Sequence, residues 1–298
     1  MRSARDSACR VLSPILLASA IAGGVAGAAE AQWAQWGGPN RDFKLASADL
    51  STEWPQDGPP RLWTRDLGEG YSAISVDDGI LYTMYRRDDD TEVVVAMDAA
   101  SGATRWEHAY DASVSGLNVG KGAGPHSTPL ITAGRVYTVG VRTFLLCLDA
   151  QTGEVIWSRD LWKEFDAEPS GRGYSSSPLA YMGMVILPVG GKDGHGVMAF
   201  DLESGEVAWN SQDFGPTFSS PLIVDVDGQD QLVVFEGTHI IGLEPGSGEL
   251  LWTFPHPTQY NVNAATPVWG PDGHLYVSSA YDAGSRVVRL ARANGKTQ

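Results

Sequence analysis

The sequence predicts an all-β protein, a β-propeller of four-stranded antiparallel blades. Three observations lead there: a recurring phrase, its period, and a tryptophan fixed at its end. Met97-Asp98-Ala99-Ala100-Ser101-Gly102 runs on to Trp106, and Leu148-Asp149-Ala150-Gln151-Thr152-Gly153 to Trp157. Phe200-Asp201-Leu202-Glu203-Ser204-Gly205 runs on to Trp209, and Leu243-Glu244-Pro245-Gly246-Ser247-Gly248 to Trp252. Gly102, Gly153, Gly205 and Gly248 lie 51, 52 and 43 residues apart. A period of roughly 40–50 residues built on strand signals is that of a radial β array.

Within each copy the elements follow in order. A short apolar run (Val93 to Met97, Phe144 to Leu148, Val197 to Phe200, Ile240 to Leu243) reads as a buried strand. The acid after it can accept backbone N–H groups further along, and the glycine takes positive φ without a Cβ penalty, so the phrase is a turn between two strands. Asp98, Asp149, Asp201 and Glu244, with their glycines, are therefore structural. The next strand ends on Trp, whose large ring suits packing between blades.

Two further strands precede each phrase. The first starts at Ser127-Thr128-Pro129, Ser176-Ser177-Pro178, Ser219-Ser220-Pro221 or Ala265-Thr266-Pro267, with Ser72-Ala73-Ile74 cognate in the first copy. Proline lacks an N–H and belongs at a strand start or on an edge, as an innermost blade strand is. The second strand is Gly134 to Val139, Gly183 to Leu187, Gln231 to Phe235 or Gly273 to Ser278. Four strands per unit make a propeller blade. The blades run about 71–107, 126–158, 175–210, 218–253 and 264–298. The fifth is unfinished: Leu290-Ala291-Arg292-Ala293-Asn294-Gly295 opens the phrase without reaching its Trp. Trp63 stands alone ahead of the first blade. Either it completes the last blade and closes a five-bladed ring, or the chain is part of a roughly seven- or eight-bladed parent, the expectation favoured here.

Composition agrees. The 298 residues include 35 Gly and 17 Pro, as a turn-rich β protein requires. Arg2, Arg5 and Arg10 precede an apolar stretch around Val11 to Val25, and Ala29-Glu30-Ala31 offers a small-x-small cleavage site, so residues 1–31 read as a secretory signal. Residues 32–70 form an N-terminal segment and 71–298 the propeller. No other stretch is long enough to span a bilayer, and the expected location is periplasmic or secreted. Removing the leader takes away three Arg and two acids and moves the net charge from −15 to −16, which argues against nucleic acid and anionic membranes. Cys147 is then the one remaining cysteine and reads as a small buried apolar residue.

The Asp-x-x-(Ser/Thr)-Gly-x-x-x-Trp phrase resembles the pyrroloquinoline-quinone-type (PQQ-like) propeller repeat, in four good copies and one partial copy. Trp36-Gly37-Gly38-Pro39-Asn40-Arg41-Asp42 looks like the N-terminal signature of secreted bacterial proteins of that kind. The resemblance implies one of two classes. Quinoprotein dehydrogenases oxidise alcohols or sugars with PQQ and Ca²⁺; other members bind no quinone and act as scaffolds, as does the propeller lipoprotein of outer-membrane assembly. The phrase reports the fold, and fold alone does not decide between them.

The enzyme reading asks for more than blades. The alcohol dehydrogenase branch implies adjacent cysteines, absent here, and no Ca²⁺ ligand group can be carried over residue by residue. Gly190-Gly191-Lys192-Asp193-Gly194 lacks the full phosphate-loop spacing and reads as a turn. Asp225-Val226-Asp227-Gly228-Gln229-Asp230 lacks the EF-hand closing Glu, and its Asp227-Gly228 is a hairpin signal. His108, His126, His195, His239, His256 and His274 show no His-x3-His spacing, and no Gly-x-Ser-x-Gly elbow occurs.

The loops hold the remaining candidates, because binding residues favour loops on rigid scaffolds. Three connectors entering innermost strands share one face: 118–126 with Lys121 and His126, 165–174 with Arg172 and Tyr174, and 260–263 with Tyr260 and Asn261. Trp162 joins them as an aromatic candidate. The leading expectation is a non-catalytic protein-interaction scaffold with a protein partner and no cofactor. The alternatives are a quinoprotein oxidoreductase using PQQ with Ca²⁺, and a propeller binding a small ligand or carbohydrate through exposed rings on this face.

Overall fold

A computed structural model describes residues 32–45, 51, 53–120 and 122–298. The expected leader, 1–31, and Lys121 lie outside the described residues. The first blade is β1 (Ser75–Asp77), β2 (Ile80–Asp88), β3 (Thr91–Asp98) and β4 (Thr104–Asp111). The second is β5 (Leu130–Thr132), β6 (Arg135–Val139), β7 (Phe144–Asp149) and β8 (Val155–Asp160), followed by the short helix α1 (Leu161–Phe165). The third is β9 (Leu179–Tyr181), β10 (Met184–Pro188), β11 (Val197–Asp201) and β12 (Val207–Ser211). The fourth is β13 (Leu222–Val226), β14 (Gln229–Phe235), β15 (His239–Leu243) and β16 (Leu250–Pro255). Each is an antiparallel sheet in sequential strand order. The fifth sheet has three strands, β17 (Val268–Trp269), β18 (His274–Ser279) and β19 (Gly284–Arg289), and a hairpin follows, β20 (Arg292–Ala293) and β21 (Lys296–Thr297).

The turn phrase behaves as its chemistry requires. Asp149 Oδ1 accepts from the N–H groups of Gln151 and Thr152 at 2.9 and 2.8 Å, and Asp98, Asp201 and Glu244 repeat the arrangement. Gly102, Gly153, Gly205 and Gly248 have φ between 70° and 76°. The glycine also answers a second demand. A Cβ on Gly153 would lie 2.5 Å from the Trp106 ring, and Gly205 and Gly248 stand in the same relation to Trp157 and Trp209.

Each Trp therefore lies flat on the turn of the following blade, and its indole N–H donates to the carbonyl one residue after the acid. Trp106 donates to Ala150 at 2.9 Å, Trp157 to Leu202 at 3.1 Å and Trp209 to Pro245 at 3.2 Å. Trp63 makes the same joint with the first blade, through Ala99 O at 2.9 Å and Gly102. It takes the place of an outer-strand Trp from a preceding blade, although no strand forms around it. Trp252 departs from the pattern. Its N–H donates to Gln231 Oε1 at 2.7 Å, because Ala291 replaces the acid in the following phrase.

The hydrophobic core is divided among the blade interfaces. Tyr82, Met84 and Trp106 pack with Val136, Leu146 and Leu148; Tyr137, Leu145 and Cys147 pack with Val185, Met198 and Phe200. Two similar clusters join the third blade to the fourth and the fourth to the fifth. Burial raises the Cys147 thiol to about 11, so it is inert as a nucleophile.

The innermost strands start one residue after each proline, not at the Ser/Thr pair. Those hydroxyls tie neighbouring blades across the channel wall. Ala73 N donates to Thr128 Oγ1 at 3.1 Å, Thr128 N to Ser177 Oγ at 3.0 Å and Ser177 N to Ser220 Oγ at 2.9 Å.

Two outcomes follow in urea denaturation. Trp209→Ala should lower stability by about 3–5 kcal/mol, as a large ring removed from a packed interface does. Ser177→Ala should cost about 1–3 kcal/mol, since it leaves the buried Thr128 N–H without an acceptor.

Candidate functional site

Antiparallel alternation places the connectors between blades on the same face as the loops joining second and third strands. Contacts agree: Ala112 N donates to Asp90 O, Asn118 N to Gly171 O and Tyr174 N to Val141 O. The turn phrases lie on the opposite face, where Ala99, Ala150 and Leu202 N–H groups meet the carbonyls of Gly79, Gly134 and Gly183.

The channel is filled from within by residues 33–43. Trp33 pairs with Val76 in the first blade, and Ala34 O accepts from Ile131 N in the second at 2.7 Å. Arg41 is buried and donates to Pro178 O at 2.9 Å and Ser177 O at 3.3 Å in the third. Burial lowers its pKa to about 9, so it stays cationic at neutral pH. Trp36 Nε1 donates to Thr266 Oγ1 beside the fifth sheet at 2.9 Å.

Toward the connector face a cavity of about 340 Å³ remains. Its deep end is Trp36 with the Ser177, Ser220 and Thr266 hydroxyls; its mouth is Asn118, His126, Arg172 and Val262. His126 packs on Tyr71 with ring centroids 5.5 Å apart, and burial lowers its pKa, which keeps it neutral near pH 7. Arg172 is thus the one formal charge among the described lining residues, and none of these is Asp or Glu.

The structure brings together two of the expected residues, His126 and Arg172, and separates the others. Tyr174 is buried, its hydroxyl donating to Pro188 O at 2.9 Å, so it props the connector and offers no ring to a ligand. Tyr260 is 61% exposed and packs edge-on against Tyr281, and Asn261 sits beside it in a left-handed turn at φ 54°. Trp162 lies farther out, on α1. Trp36 and the hydroxyl band were not among the expected residues. The Ser-Thr-Pro steps were the signal, read for proline alone.

Two buried networks hold the face. Arg86 pairs with Glu92 at 2.9 Å and donates to Ala112 O, while Glu92 Oε2 accepts from the Tyr110 hydroxyl at 2.7 Å. The second joins His256, Ser279 and Asn263. Arg286 Nε donates to His256 Nδ1 at 3.0 Å, so the imidazole proton is on Nε2 and points to Ser279 Oγ at 3.1 Å. The serine then donates to Asn263 Oδ1 at 2.5 Å. The direction is opposite to that of an activated nucleophile, whose histidine must accept the hydroxyl proton. The trio is a clamp on the connector into the fifth sheet. Among the described residues no group of three or more His, Cys, Asp or Glu is placed to hold a metal ion.

Comparison with known proteins now fits this architecture. The family model described as outer membrane protein assembly factor BamB matches residues 54–139 and 89–265. The chain belongs to this family of PQQ-like repeat propellers. It is 30% identical over 156 residues to the quinohemoprotein alcohol dehydrogenase ADH IIB of Pseudomonas putida, a stretch covering 49% of this chain and 21% of that one. It is also 30% identical over 180 residues to the dehydrogenase subunit of the quinone alcohol dehydrogenase of Gluconacetobacter polyoxogenes, covering 56% and 21%. The chain thus spans about a fifth of the length of these relatives. BamB from Moraxella catarrhalis shares its fold at TM-score 0.50 and 20% identity, over 77% of this chain and 62% of that one. The quinohemoprotein alcohol dehydrogenase from Comamonas testosteroni does so at TM-score 0.50 and 18%, over 75% and 40%.

The His256 clamp has a pH signature. Burial, then the Arg286 charge, lowers the His256 pKa below 6.5, so the folded state resists the proton that the unfolded chain accepts. Its contribution is complete above that value and is lost as pH falls. Urea midpoints should decline between about pH 7 and pH 5, and His256→Gln should flatten that part of the decline.

Proposed function

We propose that this chain is a non-catalytic, exported interaction scaffold that presents its connector face to another protein in the cell envelope. The observation that carries the reading is the channel. Its own residues 33–43 fill it, and the cavity left above Trp36 has no carboxylate among its described lining residues. Calcium takes six to eight oxygen ligands, with carboxylates prominent among them. The residues present do not fit a quinone–calcium centre, so no oxidation step is derived for this chain. The leader-like residues 1–31 support export, and the net charge of −15 points to protein rather than nucleic acid as partner.

One observation favours a second reading, a small ligand in the cavity. Trp36 and Phe218 offer flat rings beside the Ser177, Ser220 and Thr266 hydroxyls, a lining suited to a neutral polar molecule with an apolar face.

Three measurements test the scaffold. Calorimetric titration with PQQ and Ca²⁺ should give no saturable heat, and dye-linked oxidation of alcohols and sugars should stay at background. Stoichiometric binding with turnover would make the protein a quinoprotein. A photo-reactive residue at Arg172, on the connector face, should give a discrete protein adduct in the source cells. One at Glu203, on the turn face, should not, and the absence of any adduct at Arg172 would sink the scaffold.

A further inference from the structure

The connector face carries two open grooves outside the central cavity, and they meet at one side chain. One, of about 1020 Å³, is lined by Tyr110, Asp111, Arg142, Phe144, Asp160 and Trp162. The other, of about 700 Å³, is lined by Trp162, Glu168, Lys192, Asp193, Asp213 and Phe214. Trp162 and Asp166 belong to both.

The ridge between them is built, not incidental. Asp160 caps α1 by accepting from Lys163 N at 3.1 Å, and the helix stops at Asp166, which turns left-handed at φ 54°. Arg142 lies over the Trp162 ring, 5.9 Å from its centroid, while its guanidinium donates to the Ser113 and Ser115 carbonyls. Trp162 keeps 39% of its surface exposed beside that contact. A ring and two carbonyls fix Arg142 but leave its charge in place, so the first groove sets Asp111, Asp160 and Asp166 against Arg142 and Lys163 and is only weakly acidic.

In the second groove the charge is one-sided, with Asp166, Glu168, Asp193 and Asp213 against Lys192. Lys163 pairs with Asp160 at 2.5 Å. Among the described residues Asp111, Asp166, Glu168, Asp193 and Asp213 have no ion-pair partner, and Lys192 is the one cation beside the last three. The central cavity, with Arg172 and no acid among its described lining residues, has the opposite character.

We propose that these two grooves dock an extended segment of a protein partner, with Lys or Arg side chains on both sides of an apolar residue. The apolar residue sits against Trp162 and Phe144, where an aromatic anchor supplies most of the binding energy. One basic side chain falls beside Glu168, Asp193 and Asp213 and the other beside Asp111, and the more acidic second groove also steers the encounter. This rests on the scaffold reading and names its partner's chemistry.

The test is selection of a random twelve-residue peptide library on the intact protein. Enriched peptides should be net positive, with an apolar residue between basic ones. A synthetic peptide of that sequence should bind about ten-fold more weakly to Trp162→Ser, and again to the triple variant Asp166→Asn/Glu168→Gln/Asp193→Asn. Trp162→Phe should restore most of the affinity, and rising salt should weaken binding. Unchanged thermal midpoints would show that each variant is folded. Enrichment of acidic or neutral peptides, no enrichment, or equal binding to the variants overturns the proposal. The two readings fail separately. An adduct at Arg172 with grooves indifferent to peptide leaves the scaffold and removes this surface. Groove binding without any adduct on the face removes the scaffold instead.

Discussion

The contact on which this molecule depends is the seat of a tryptophan ring on the turn glycine of the next blade. Both partners are constrained by it. The ring can approach only because no Cβ stands in the way, and the indole N–H reaches its carbonyl only because the acid upstream folds the turn by accepting its N–H groups. Remove the acid and the geometry changes, as it does where Ala291 stands in that position and Trp252 turns to Gln231 instead. A blade alone exposes an apolar sheet on each side; the joint sets how the next blade covers it, and the core becomes a series of interfaces.

How much of this could be read from the sequence follows from the range of each interaction. The phrase from acid to Trp spans nine residues, so its chemistry is local and repeats visibly. The strands matched closely for the same reason. The plug was invisible: Trp36 meets Thr266 and Arg41 meets Pro178, and residues 33–43 carry no period to announce those contacts. The Ser/Thr hydroxyls before each proline were visible but misread. Proline explains why a strand begins there, whereas the hydroxyls answer a different question, which is how one inner strand holds the next.

The candidate site was legible as a face, not as a set of residues. Topology alone puts the connectors on one side, so His126 and Arg172 could be expected near each other. Tyr174 shows the limit. Aromatic residues in loops serve equally as props and as ligand platforms, and only the hydroxyl bond to Pro188 O tells which. The Arg86–Glu92–Tyr110 network lay wholly outside expectation, because Arg86 and Glu92 stand on the neighbouring strands β2 and β3, and their pairing needs the hairpin register to bring them together.

These buried polar networks bear on function through rigidity. Removing one partner of a buried ion pair leaves the other uncompensated, at a cost of about 3–5 kcal/mol, so Arg86 and Glu92 hold the Ala112 and Val141 segments in one arrangement. His256 and Asn263 do the same for the connector into the fifth sheet, and Arg41 for the plug. A face fixed in this way at several points presents its grooves and cavity without an ordering step. Pre-organisation lowers the entropy that binding must overcome, so a modest contact area can recognise a partner. The same rigidity suits a surface whose specificity comes from the placement of charge around one ring. If Trp162 or its acids could rearrange, the spacing between them would carry no information.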